Sequence, residues 1–196
     1  QNVFLPLQPE LWNNERTALT IWLDPGRIKR DLIPNQEMGN PLLKGERYML
    51  VVTPDWKDAR GIHLSNKYTR QFIASSRDSL SPDVDQWKLD LPTSGTKEPL
   101  VINTIEPLDY FLLNETLEIV DDIRNRINTS AIISDHESIV RFIPDKPWKS
   151  GRYRLHVASY LEDLAGNNLT KVFDRDIRIR QSRQEQTVYE RHFVIR

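Results

Sequence analysis

The chain contains a partial copy of itself. The segment "KGERYMLVVTPDWKDARGIHLSNKYTRQF", beginning at Lys44, lies without a gap on "KSGRYRLHVASYLEDLAGNNLTKVFDRDI", beginning at Lys149, an offset of 105 residues. Lys44, Arg47, Tyr48, Leu50, Val52, Asp58, Gly61, Leu64 and Arg70 recur as Lys149, Arg152, Tyr153, Leu155, Val157, Asp163, Gly166, Leu169 and Arg175. Tyr68 and Phe72 fall on Phe173 and Ile177, so apolar character persists where identity does not. Upstream, "LTIWLDPGRI" matches "LVINTIEPLDY", with Asp24-Pro25 on Glu106-Pro107 at a smaller offset of 82, so the second copy carries 23 extra residues between these landmarks. Self-similarity of this kind implies two domains of one type and unequal size.

The copied segments alternate with period two. Tyr153, Leu155 and Val157 share one face, as do Tyr48, Leu50 and Val52, while Arg154 and His156 turn outward. That pattern marks strands with one buried face. Further strands are expected over 3–7, 19–23, 86–91, 100–104, 117–120, 139–143, 171–179 and 187–195. Turn chemistry ("PTSGTKEP", "NTS", "PDKPWKSG") separates them. The best helical stretch, "LNETLEIVDDIRN", reads as a strand entering a polar loop, and "RQSRQEQ" as the turn of a final hairpin. Short strands at this spacing predict an all-β chain of two tandem immunoglobulin-like β-sandwich domains, over residues 1–80 (abbreviated) and 81–196. The serine- and aspartate-rich residues 74–86, with Pro82, read as the linker.

Composition narrows the functional classes. The 27 basic and 28 acidic side chains nearly cancel, leaving no general field toward nucleic acid or an anionic membrane. With no cysteine, disulfides, thiolate zinc sites and cysteine nucleophiles are excluded. No apolar run approaches the ~20 residues of a membrane span. The start, Gln-Asn-Val-Phe-Leu-Pro, lacks the basic and apolar regions of a signal peptide and enters strand-like sequence at once. An excised part of an exported protein is the expectation.

The acidic-Pro pair after an early strand, the "GRYRLHV" strand and the "EDLAGNNL" turn resemble bacterial immunoglobulin-like domains of the surface-layer-protein type. The resemblance is fuller over roughly 98–179 than in the first copy, where Arg60-Gly61-Ile62-His63 stands for Ala-Gly-Asn-Asn. It implies a periplasmic, cell-surface or extracellular bacterial setting and neighbouring domains in a longer chain. Such domains serve as spacers, adhesion modules and accessory domains, so fold alone does not name a function.

"YLEDLAGNNL" also has the letters of a cation loop. Calcium takes six to eight oxygens, whereas the two copies share only Asp58 with Gly61 and Asp163 with Gly166. An aspartate that caps a turn, with glycine three residues on at positive φ, explains that pair. These four are therefore expected to be structural turn residues. Asp135-His136-Glu137 reads as a solvated loop, and Glu106 with Asp109 as part of a turn rather than a glycosidase carboxylate pair. No catalytic, cofactor-binding or metal residue is assigned. Arg27, Lys29 and Arg30, three cations just after Asp24-Pro25, form a candidate interaction surface. Five tryptophans are expected in cores and junctions, and an exposed pair would suggest sugar stacking instead. The expected function is a non-enzymatic structural or protein-interaction segment with a cell-envelope protein or glycan partner. The alternatives are a carbohydrate-binding module and an accessory segment of an enzyme whose catalytic domain lies elsewhere.

Overall fold

The computed structural model describes residues 3–12, 16–17, 19–58, 60–174 and 186–196. The chain divides into two compact units, Gln1–Asp78 and Ser79–Arg196. The division lies inside the serine- and aspartate-rich stretch. Part of that stretch nonetheless belongs to the second unit, because Pro82 and Val84 are buried there and Val84 joins its core.

In the first unit β1 (Leu11–Trp12) pairs with β2 (Leu19–Thr20). Helix α1 (Pro25–Ile28) and helix α2 (Ile33–Met38) follow, then the antiparallel pair β3 (Arg47–Val52) and β4 (Tyr68–Ile73). The expected strand at 3–7 is reduced to a single bridge, Phe4 to Leu23. No helix was expected over these residues, and the cause of both is local. The Asp24 carboxylate accepts the Gly26 N–H at 2.8 Å, and Pro25 sits where a helix tolerates a missing donor. Gly39, at φ 71°, ends α2.

An abbreviated sandwich was expected here, and the described residues form two separate two-stranded sheets instead. β4 is exposed along its whole length, and β3 alternates exposed with half-buried. No described apolar side chain of this unit is fully buried; the buried one is Arg27. The physical reason is shortage of strands: the span between the acidic-Pro pair and the copied strand supplies three strands in the second unit and holds only two short helices and loops in the first. A hairpin without a covering layer buries only part of one face.

The second unit is a two-sheet sandwich. Its four-stranded sheet runs β5 (Lys88–Asp90), β6 (Leu100–Asn103), β9 (Ile139–Pro144), β8 (Thr129–Ser134). Its three-stranded sheet runs β11 (Val188–Ile195), β10 (Gly151–Ala158), β7 (Leu117–Asp121). All pairings are antiparallel. The tripeptide Asn128-Thr129-Ser130, read as a turn, mostly forms the start of β8. Helix α3 (Tyr110–Thr116) precedes β7, where only strand and loop were expected; Asp109 caps it by accepting the Leu112 N–H at 2.9 Å. Leu100, Ile102 and Val140 from one sheet meet Ile119, Leu155, Val157 and Ile195 from the other in one core. Each such side chain contributes about 1.5–3 kcal/mol on burial. Trp87 and Trp148 complete it, the latter edge-on to Tyr153 at 5.6 Å.

The strand that pairs with β10 as β4 pairs with β3 is β11. Residues 171–174 are not strand, and 175–179, with most of "RQSRQEQ", lie outside the described residues. Val52 faces Tyr68 and Val157 faces Tyr189; Tyr48 faces Phe72 and Tyr153 faces Phe193. Both Tyr–Phe pairs are stacked, at 5.8 and 5.7 Å. "YTRQFI" therefore corresponds to "YERHFV", at a larger offset than the turn before it.

Candidate functional site

Asp58 and Asp163 occupy the same hydrogen-bonded frame. Asp58 Oδ1 accepts the Arg60 and Ile62 N–H groups at 2.8 and 2.9 Å, and Asp163 Oδ1 accepts those of Ala165 and Asn167 at 2.7 and 2.9 Å. Gly61 and Gly166 stand at φ 79° and 82°, each donating to the carbonyl of its aspartate. Bridges Lys57–His63 and Glu162–Asn168 flank the two turns at matching positions.

A third turn of this frame escaped the sequence reading. Asp121 Oδ1 accepts from Ile123 and Asn125, Arg124 at φ 67° takes the glycine position, and a Val120–Arg126 bridge closes it. With arginine there, the Asp-x-x-Gly signature is invisible. The remaining trace was Asn125, whose side-chain amide reaches Asp121 Oδ2 at 3.0 Å as that of Asn167 reaches Asp163 Oδ2 at 2.8 Å. Burial pushes the Asp121 carboxyl up, but hydrogen bonds from Asn125 and Ile123 and the Lys149 charge hold it below its ordinary value.

These contacts decide what the "YLEDLAGNNL" loop can do chemically. Asn167 Oδ1 accepts the Phe173 N–H, and Asn168 Oδ1 accepts from Thr170 N, Thr170 Oγ1 and Lys171 N. The side-chain oxygens of Asp163, Asn167 and Asn168 thus hold the backbone of the turn in place, the work of a capped corner. Glu162, half-buried beside them, has its carboxyl raised by burial and by the charges of Asp109 and Asp163, against the opposing Lys171. Asp109 of the supposed carboxylate pair is likewise engaged as the α3 cap.

The cationic surface is corrected at Arg27. That side chain is 3% exposed; its Nε and Nη2 reach the carbonyls of Gly39 and Asn40, and Asn35 donates to its carbonyl. It fastens α1 to the residues around α2, so burial removes it from any surface. Lys29 is half-buried, and of the three only Arg30 is exposed.

Apolar exposure is the more distinctive surface feature. Met49 and Val51 of β3 and Tyr68, Phe72 and Ile73 of β4 are all exposed, Met49 at 58% and Ile73 at 61%. Trp56 at the end of this hairpin and Trp22 are also exposed, against the expectation that tryptophan fills cores. Charge and turn signals pointed elsewhere, and period-two alternation gave no reason to expect apolar residues on both faces of β4.

No family model, curated protein or solved structure matches the chain.

Proposed function

We propose that the chain is a non-enzymatic interaction segment of a bacterial cell-envelope or secreted protein, built from two tandem immunoglobulin-like units. The repeat reading is supported by equivalent turns, flanking bridges and stacked Tyr–Phe pairs. The observation that carries the functional reading is the exposed apolar β3–β4 hairpin of the first unit. An uncovered row of strand hydrogen-bonding groups with apolar side chains is suited to protein contact. Carboxylates spent on capping turns favour a structural over a catalytic role.

Cosedimentation with cell-envelope fractions tests this. Binding is expected to protein-containing fractions, to vanish when they are proteolysed, and to weaken in Met49→Lys/Ile73→Lys. Absence of binding to any fraction would refute the interaction role. The exposed Trp22 and Trp56 favour a second reading, a carbohydrate-binding module. Binding to protein-free glycan with saturable quenching of tryptophan fluorescence would promote it over the first.

A further inference from the structure

β10 has a strand on each side, and β3 has one on a single side. In the second unit β10 lies between β11 and β7, whereas among the described residues β3 pairs only with β4. In an antiparallel pair, residues that exchange N–H and C=O groups with one neighbour alternate with residues that address the other edge. Ala74 donates to the Glu46 carbonyl at 3.0 Å and Ser159 to the Thr187 carbonyl at 2.9 Å, each bond one step beyond the end of its ladder. Tyr48, Leu50 and Val52 therefore address β4 as Tyr153, Leu155 and Val157 address β11. Arg47, Met49 and Val51, all exposed, present their N–H and C=O groups to the opposite edge, where Arg154 and His156 of β10 meet β7. That edge holds no proline to interrupt a ladder.

β7 displays the chemistry of a strand that fits there. Its buried Leu117 and Ile119 stand opposite Val157 and Leu155, and the same register on β3 sets them opposite Val52 and Leu50. Glu118 and Val120 then come opposite Val51 and Met49. Continued one residue past Asp121, the register brings Asp122 opposite Arg47. β3 and β4 carry Arg47 and Arg70 and no carboxylate of their own, so an acidic end complements the hairpin.

We propose that the open edge of β3 receives an extended segment of another protein as an added antiparallel strand, in the place that β7 takes in the second unit. The segment has apolar residues at alternate positions and a carboxylate at its C-terminal end. Main-chain hydrogen bonds supply affinity, and the alternate side chains supply specificity. The proposal rests on the interaction role given above and names its geometry: pairing along the β3 edge, not contact with the hairpin's apolar faces alone.

A labelled synthetic peptide of residues 115–123, "ETLEIVDDI", added to the whole chain, is the probe. Saturable binding by fluorescence anisotropy is expected, and the amides of Arg47, Met49 and Val51 should exchange at least about tenfold more slowly in its presence. Methylating the peptide nitrogens of Glu118 and Val120, which address β3, should abolish binding, while methylating those of Leu117 and Ile119 should leave it intact. Arg47→Glu, a change at an exposed side chain, should weaken binding, and a peptide carrying Asp122→Lys should recover it. No saturable binding, equal loss with both methylation patterns, or new protection at β4 or β10 instead of β3 would overturn strand addition. Protection of the β3 edge that is present without peptide and disappears on dilution would overturn it too, because a second copy would then be the occupant. Envelope binding that persists beside such a result, and still weakens in Met49→Lys/Ile73→Lys, would leave the interaction role standing and remove only the added strand.

Discussion

Adding one methyl group at either repeated glycine separates backbone strain from packing. Gly61 and Gly166 hold nearly the same positive φ, so alanine at either meets the same left-handed penalty, about 1–2 kcal/mol. Restricting the unfolded chain returns about 0.4–1 kcal/mol of that. At Gly61 a Cβ meets nothing within 4 Å, so the net loss should be about 0.5–1 kcal/mol, a difference of the two preceding magnitudes. At Gly166 it would stand 3.0 Å from Phe173 Cδ2 and 3.2 Å from Cγ. Phe173 cannot retreat freely, because its N–H is held by Asn167 Oδ1 at 2.9 Å. Overpacking adds about 1 kcal/mol or more, for a total near 2 kcal/mol. Hydrogen exchange with peptide resolution reads each unit separately, using peptides that cover 50–66 and 155–173. Asparagine tolerates left-handed backbone, so Gly61→Asn should be close to neutral while Gly166→Asn stays costly. Equal losses for the two alanine variants, or a larger one at Gly61, would refute the contact with Phe173 as the cause.

Arg124→Gly should stabilise the second unit by about 0.5–1 kcal/mol, because it relieves positive φ at an exposed side chain, less the added freedom of the unfolded chain; a urea midpoint that stays or falls would count against the third turn. Glu162→Gln should raise stability at neutral pH by less than about 1 kcal/mol, given solvent screening. The sign follows from its raised carboxyl: the folded state holds the proton more tightly, so the cost of the charge is complete above the folded pKa and relieved as pH falls. Stability curves of variant and parent should therefore converge in acid, and a gap that widens there would contradict the assignment. Amides of β3 and β4 should exchange far faster than those of β10, since no fully buried apolar residue among the described residues of the first unit covers them; comparable protection would show that the hairpin is covered in solution.

Strand identity was legible where burial is one-sided. β10 alternates buried and outward residues along its length, so Tyr153, Leu155 and Val157 could be read from spacing alone. The turns were legible through their glycines, which is why Asp58 and Asp163 were found and Asp121 was not. Ungapped comparison hid the true partner of β10, because added residues after the second turn move "YERHFV" out of register with "YTRQFI". Arg27 was misread because burial of a charged side chain depends on carbonyls at Gly39 and Asn40, far from it in sequence.

The reading of the Asp163 loop as a capped corner, its oxygens committed to backbone and side-chain donors, is tested most directly by thermal unfolding across a calcium titration. A ligand that binds only the native state must raise the melting temperature with its concentration. Melts with saturating calcium and with a calcium-selective chelator should superimpose. A melting temperature of the second unit that climbs steadily with calcium, and loses that climb in Asp163→Asn, would contradict the corner.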